Sequence, residues 1–438
     1  MNALINLLLL LGLVAAMAVW VMLPWPGALA LALLLALWLA FSRRGGQTRS
    51  VAAVGISTLT QRLGPSAVIV VGIAGVVGVL VALLAMAEGY SQTLRGTGSE
   101  DVAIVMRGGS ASEVASVLDR DSATLVAQGP GIARNDKGEP LASPEIVVAA
   151  NLPLRKGEPG EEGSVQLRGV GEQAFAVRPQ LKIVEGRSFA PGLRELIVGR
   201  GAARQFAGMV PGNTVRLGSQ QWTVAGVFAS GDAMESEIWA DASVVADAYR
   251  RGSGRNSVIV KLGEAKAFNE FKAALEANPQ LKVDVSTTLD YFTKQSERVT
   301  QVLRIIGITV GSIMGIGAMF GALNTMFAAV AARAREIATL RAIGFTGVPV
   351  VVAVMLETML LALVGGLAGG LIAWALFNGY NASTMTAGSV GQLSFQLRVT
   401  PELLWTGLKW ALAIGFIGGL FPAMRAARLP VTTALREL

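Results

Sequence analysis

Polar side chains are nearly missing from five long stretches of this chain. The apolar blocks cover residues 3–42, 66–89, 303–331, 348–378 and 402–423. A helix needs about 20 mostly apolar residues to cross a hydrocarbon core of about 30 Å. The first block is interrupted at Pro24-Trp25-Pro26, which predicts a hairpin of two spans, 3–23 and 27–42, turned by the prolines. No Lys or Arg precedes the first apolar run, so a retained helix is expected there rather than a signal peptide. The pattern thus predicts six transmembrane α-helices. Two shorter stretches are amphipathic. Ala52, Ile56, Leu59 and Leu63 are spaced for one face of an elbow over 47–63, and Ile337, Leu340 and Ile343 for one face of a short helix ending at Gly344.

The block between the third and fourth spans reads differently. Strand-like runs recur at 102–106, 145–148, 164–168, 195–198, 214–217, 222–227, 257–262 and 281–285, and helical patterns at 112–118, 202–206, 242–250 and 265–277. Residues 151–163 read as a loop. The expectation is a large α+β extracytoplasmic domain over 90–297. Residues 290–303 read as a helix leaving that domain for the membrane, either a transmitter of force or a plain connector.

Composition agrees with a membrane protein. Of 438 residues, 52% are hydrophobic and 15% charged, with a mean hydropathy of +0.54. There is no Cys and no His, which excludes a thiol nucleophile, a disulfide framework, an imidazole base and nearly every zinc or haem site. Charge is unevenly spread. Residues 90–297 hold 23 basic and 25 acidic residues, whereas the remainder carries 14 basic and 5 acidic. Ten of those 14 lie in three clusters: Arg43, Arg44, Arg49 and Arg62; Arg333, Arg335 and Arg341; Arg425, Arg428 and Arg436. Positive residues mark cytoplasmic loops, so all three clusters are expected inside and 90–297 outside. A pI near 9.9 is therefore a membrane-flanking feature, and no nucleic-acid partner is expected.

Candidate chemistry is sparse. No G-x-S-x-G, zincin or EF-hand pattern is present. The acidic run 231–237 could hold a cation, but its spacing fits no ligand loop and a solvated loop is expected. Small residues four apart recur at Gly307, Gly311 and Gly315, at Gly317 and Gly321, at Gly365 and Gly369, and at Gly415 and Gly419. Such spacing lets helices approach closely in lipid. Glu357 falls about ten residues into the fifth span; an intramembrane carboxylate is either functional or paired, with Arg341 the nearest partner in sequence. Lys409, early in the sixth span, is expected to snorkel outward.

Four places together resemble the MacB/FtsX-type (type VII) permeases of ABC transporters. They are the elbow and span at 47–89; the stretch from Gly186-Arg-Ser-Phe through Glu195-Leu-Ile-Val-Gly199 to Trp222-Thr-Val-Ala-Gly-Val227; Arg335-Glu336-Ile-Ala-Thr-Leu-Arg341-Ala-Ile-Gly344; and Pro422-Ala-Met-Arg-Ala-Ala-Arg428-Leu-Pro430. The resemblance implies a bacterial inner-membrane, multi-pass permease. Its parts would be an N-terminal hairpin (1–42), an elbow (43–65), a span (66–89), a MacB-like periplasmic domain (90–297), a stalk and span (298–331), a coupling helix (332–347), and two FtsX-like spans with a cytoplasmic tail (348–438). It further implies an ABC ATPase partner, a second permease copy or paralogue, and a periplasmic adaptor. Arg333, Arg335, Glu336, Arg341 and Gly344 would form the ATPase-coupling segment. The chain has no Walker A sequence, so ATP and Mg would be bound by the partner and no cofactor by this chain. Such a permease would move its external domain to export a substrate, release a lipoprotein or regulate a wall hydrolase. The hairpin at 1–42 departs from the usual four-span plan.

Overall fold

A computed structural model describes residues 19–57, 63–156, 158, 160–385 and 391–428. Residues 1–18 of the expected hairpin, Leu59 and Arg62 of the elbow, and the segment from Leu429 onward lie outside them. The chain divides into two compact units: residues up to 85 with 303–378 and 398 onward, and residues 86–302 with 379–397.

The first unit is helical. Its elements are α1 (Trp25–Phe41), α2 (Arg43–Ser57), α3 (Leu63–Thr97), α4 (Thr288–Ala332), α5 (Ala334–Ala342), α6 (Gly347–Phe377) and α7 (Pro401–Arg428), α3 and α4 also supplying residues to the second unit. Among the described residues, α3, α4, α6 and α7 are long and apolar enough to cross a membrane, and α1 with α2 forms a pair bent by 97°. The bend depends on Gly45: a Cβ there would lie 2.7 Å from Leu39 Cα. Ile73, Val77 and Val81 of α3 pack with Ala322 and Met326 of α4, Leu361 and Ala362 of α6, and Ala411 and Ile414 of α7.

The elbow face differs from the expected one. Thr48, Val51, Ala52 and Gly55 are buried, while Ile56 is 41% exposed and Leu63 69%. Small side chains let α2 lie close against α6, so the packed face follows residue size rather than apolarity.

The second unit is built on a mixed ten-stranded sheet of order β10-β1-β9-β2-β3-β8-β5-β7-β4, with β6 paired to β7. The strands are β1 (Val102–Arg107), β2 (Ala142–Pro153), β3 (Glu162–Val170), β4 (Lys182–Gly186), β5 (Glu195–Gly199), β6 (Thr214–Leu217), β7 (Gln220–Ala229), β8 (Glu237–Asp241), β9 (Ser257–Lys261) and β10 (Val283–Thr287). The β3–β8 and β5–β7 pairings are parallel and the rest antiparallel. Trp222, Phe206 and Leu167 are among the residues filling one core, and Phe271, Val126 and Val260 fill another.

Three expectations need correction. Residues 112–118 form turns instead of a helix; the backbone N–H of Arg107 claims Ser116 Oγ at 2.9 Å, and the Glu113 side chain is drawn into an ion pair described below. The helix comes later, at Arg120–Ala127, where Asp119 caps it by accepting from Ser122 N–H at 2.7 Å. The acidic run 231–237 is no solvated loop: Asp232 caps a 3-10 turn (Ala233–Ser236) that leads into β8 at Glu237, and Asp232, Met234, Ser236 and Glu237 are all buried. Finally, residues 379–397 do not belong with the spans that flank them. They form the hairpin β11 (Asn381–Met385) and β12 (Gln392–Gln396), which joins the second unit. Ser394 N–H donates to Ser236 Oγ at 2.9 Å, and Phe395 packs edge-on against Tyr90 with ring centroids 5.6 Å apart.

Candidate functional site

In the helical unit, charges converge where α4 ends. Arg333 interrupts the helix between α4 and α5, which turns its side chain inward. Its guanidinium lies 3.0 Å from Glu357 Oε2 on α6 and 3.1 Å from Glu336 Oε2 on α5. Arg333 and Glu357 are 8% and 5% exposed. The partner of the intramembrane acid is therefore Arg333 and not Arg341. Gly55 of α2 closes over the pair; a Cβ there would meet Glu357 Oε2 at 3.0 Å and Arg333 Nη1 at 3.1 Å. Four helices thus meet at one buried ion pair. An ion pair withdrawn from water persists only with close geometry, since each desolvated charge costs several kcal/mol.

The short helix α5 stands on this pair. It ends in a Schellman motif: Gly344 has φ +105°, its N–H bonds to Arg341 O at 3.2 Å, and Phe345 N–H bonds to Leu340 O at 3.1 Å. Leu340 and Phe345, the hydrophobic contact that accompanies such a motif, pack with Val51, Ala52 and Ala353. Ile337 and Ala338 are buried beneath α5, whereas Ile343, expected on the same face, is 69% exposed. Of the expected coupling residues, Arg335, Glu336 and Gly344 are exposed, Arg341 is half-buried, and Arg333 faces the interior.

The glycines divide into two groups. Gly307 and Gly311 receive Leu83, Leu84 and Leu80 of α3, and Gly315 receives Ile414 of α7. Gly365 and Gly369 of α6 approach the α3 backbone at Val70 and Ala74. Gly415 and Gly419 of α7 admit Ala362 and Thr358 of α6. A Cβ added at Gly317 or Gly321 would meet no atom within 4 Å, so these two pack nothing among the described residues. Lys409 also departs from expectation. It is 9% exposed, and its ammonium donates to Val21 O at 2.5 Å and Leu23 O at 3.4 Å instead of reaching outward.

The second unit contains a charge cluster that the sequence did not single out. Arg168 on β3 binds Glu113 at 2.7 Å, Glu145 at 2.9 Å and Glu237 at 2.7 Å, and Arg178 binds Glu145 at 2.6 Å. Arg178 also lies over the Trp239 ring at 5.1 Å. Ser257 donates a further hydrogen bond to Glu113, and Gln166 and the Trp239 indole donate to Glu237. Burial alone would raise the Glu145 pKa, but Arg178 and Arg168 hold it below the ordinary glutamate range. The three carboxylates raise the Arg168 pKa well above its usual value against the effect of burial. A cavity of about 250 Å³, lined among others by Arg168, Arg178, Gln180 and Lys261, adjoins the cluster. The arrangement joins β2, β3 and β8 to the 113–116 turn. The sequence signal was a buried-strand pattern interrupted by Arg168 and Glu237, and nothing in it linked the two.

The ends of α3 and α4 within this unit are also tied. Thr288 Oγ1 accepts from Ser99 N–H at 2.9 Å and donates to Ser99 O at 3.1 Å, and Gly98 packs against the Leu289 backbone. Among the described residues, no group of three or more acidic side chains is placed to hold a metal ion.

Comparison with known proteins matches both units. A family model for the MacB-like periplasmic core domain covers residues 66–278, and one for the FtsX-like permease C-terminal region covers 308–431. The ABC transporter permease YknZ of Bacillus subtilis (strain 168) is 25% identical over 307 residues, 67% of this chain and 75% of its own length. The macrolide export ATP-binding/permease protein MacB of Photorhabdus laumondii is 26% identical over 317 residues, 67% of this chain but 46% of its own. The chain thus spans less than half the length of the MacB relatives it matches. The periplasmic region of MacB from Actinobacillus actinomycetemcomitans aligns over 46% of this chain and 95% of its own at 18% identity, with a TM-score of 0.35. Two matched regions, in the order and at the places where the apolar spans, the sheet domain and the FtsX-like helices occur, define the chain: it belongs to the MacB/FtsX-type permeases of ABC transporters.

Proposed function

We propose that this chain is the transmembrane subunit of an ATP-driven exporter, converting ATP hydrolysis by a separate ABC ATPase into movement of its periplasmic domain. The observation that carries this reading is the construction of α5. A capped helix with a charged outer face is anchored by Arg333 to a buried acid in α6, one residue beyond the end of the 45-residue helix α4. A docking ATPase that displaced α5 would act on α4 and α6 together, because they share the pair. The ATPase subunit would bind ATP and Mg. A second permease copy would complete the membrane assembly, a periplasmic adaptor would pass substrate onward, and the inner membrane would house the complex. Gly317 and Gly321, which receive no side chain here, suit a contact with the second copy.

The test is charge reversal at Arg335 on the exposed face of α5, Arg335→Glu, which leaves Glu336 in contact with Arg333. The purified complex is expected to lose most of the ATPase stimulation that the permease confers, while the permease keeps the thermal midpoint of a folded protein. Full stimulation by the variant would remove α5 from the coupling path.

A further inference from the structure

The break at Pro24-Trp25-Pro26 leaves a chemical problem inside an apolar segment. Residues 19–22 are helical and α1 begins at Trp25. Pro24 and Pro26 interrupt the helix at residues 23 and 24, so Trp25 and Gly27 are not placed to serve the Val21 and Leu23 carbonyls as they would in a continuous helix. Across the break, Leu23 N–H bonds to Trp20 O, and Gly27 and Ala28 N–H both bond to Pro24 O. The carbonyls of Val21 and Leu23 receive their hydrogen bonds from elsewhere, from the Lys409 ammonium on α7. A return bond runs the other way: the Trp20 indole N–H donates to Lys409 O at 3.0 Å.

Each side resolves a cost of the other. A lysine 9% exposed in an apolar helix is expensive without a partner, and no carboxylate lies within ion-pair distance of it among the described residues. Carbonyls at a helix C-terminus carry the negative end of the helix dipole and cannot be left bare in hydrocarbon. We infer that Lys409 is a positioning residue that clamps the N-terminal hairpin onto α7, making residues 19–57 a strap rather than a loosely attached addition. One end of the strap is the Lys409 clamp. The other is α2, whose Gly55 lies against the Arg333–Glu357 pair. The inference rests on these contacts and not on the proposed transport activity.

The test exploits a change of sign. Lys409→Met and Lys409→Arg are made in the full chain and in a chain lacking residues 2–42, a deletion that removes an even number of expected spans. Thermal midpoints are measured in one detergent. In the full chain Lys409→Met is expected to lower the midpoint by several degrees, with Lys409→Arg losing less than half as much. In the shortened chain the clamp has no carbonyls to hold, so Lys409 is an unpaired buried charge and Lys409→Met should raise the midpoint. Equal losses in both chains, or no loss in the full chain, overturn the inference. Trp20→Phe and Lys409→Met, measured singly and together in the full chain, give a second reading that needs no deletion. Losses smaller together than their sum support a shared clamp, and strictly additive losses oppose it.

Discussion

A single buried acid shows how a residue's partner decides its meaning. Glu357 could have been a site of proton or ligand chemistry, but its carboxylate faces Arg333 at 3.0 Å with both side chains withdrawn from solvent. Removing one member of such a pair leaves the other charged and buried, at a cost of about 3–5 kcal/mol, whereas removing both is far milder. Glu357→Gln is therefore expected to lower the unfolding midpoint and ATPase stimulation together, and Glu357→Gln with Arg333→Gln to recover most of the midpoint. A double variant as unstable as the sum of the singles would show the two residues acting apart. Asp232 presents the opposite electrostatic case. Burial pushes its carboxyl above the usual aspartate range, although Ser230 Oγ and Met234 N–H both donate to its Oδ1. An acid whose pKa is raised on folding favours the native state below its unfolded pKa, near 3.8, and that contribution is lost as pH rises through the raised folded value. Asp232→Asn should accordingly leave the full chain more stable than wild type at pH 7. The advantage should shrink as pH falls toward about 4, which thermal melts across that range would reveal.

At the scale of elements, the membrane helices are held by glycines in one direction and freed by them in another. A methyl group on Gly369 would be driven into the α3 backbone at Ala74, where no rotamer offers relief. Gly369→Ala should lower the midpoint and the yield of folded permease, while Gly317→Ala and Gly321→Ala leave the monomer's midpoint unchanged; equal sensitivity at all three positions would contradict the observed packing. That distinction was invisible in the sequence, where all nine glycines share one spacing. Other elements were legible to unequal degrees for physical reasons. The strand Thr214–Leu217 declares itself because its residues alternate between exposed and buried. β8 does not, because its first residue is a buried glutamate whose partner Arg168, on the neighbouring strand β3, stands 69 residues earlier in the sequence. β11 carries Asn, Ser and Thr without an apolar pattern, whereas β12 alternates as Gln-Leu-Ser-Phe-Gln with Leu393 and Phe395 buried, a run of five residues too short to stand out between two long apolar spans. Arg333 illustrates the same limit: the chain turns between α4 and α5, and only that turn brings a residue 24 positions away to Glu357 in preference to Arg341.

For the molecule as a whole, the decisive quantity is the side of the membrane on which each charged cluster lies. The excess of 14 basic over 5 acidic residues outside 90–297 argues that Arg43, Arg44 and Arg49, the α5 arginines, and Arg425 and Arg428 all remain in the cytoplasm. Four helices long enough to span, with α2 and α5 both on the basic side, meet that demand only if the sheet domain faces outward. The chain offers a clean test because it contains no native cysteine. Single cysteines belong at positions the fold leaves exposed: Lys137 and Ser219 in the sheet domain, Ser50 on α2 and Thr339 on α5. Ser257 would be unsuitable, being fully buried and donating to Glu113 at 2.5 Å. A membrane-impermeant maleimide added to intact cells with a permeable outer layer should label Lys137→Cys and Ser219→Cys within minutes. Ser50→Cys and Thr339→Cys should react only after the inner membrane is opened. The reverse pattern would invert the orientation and move α5 away from any cytoplasmic ATPase, taking the proposed coupling with it. Labelling of all four from outside would mean that α2 or α5 is not held on the inner face, and the strap from Lys409 to Gly55 would then have no fixed inner end.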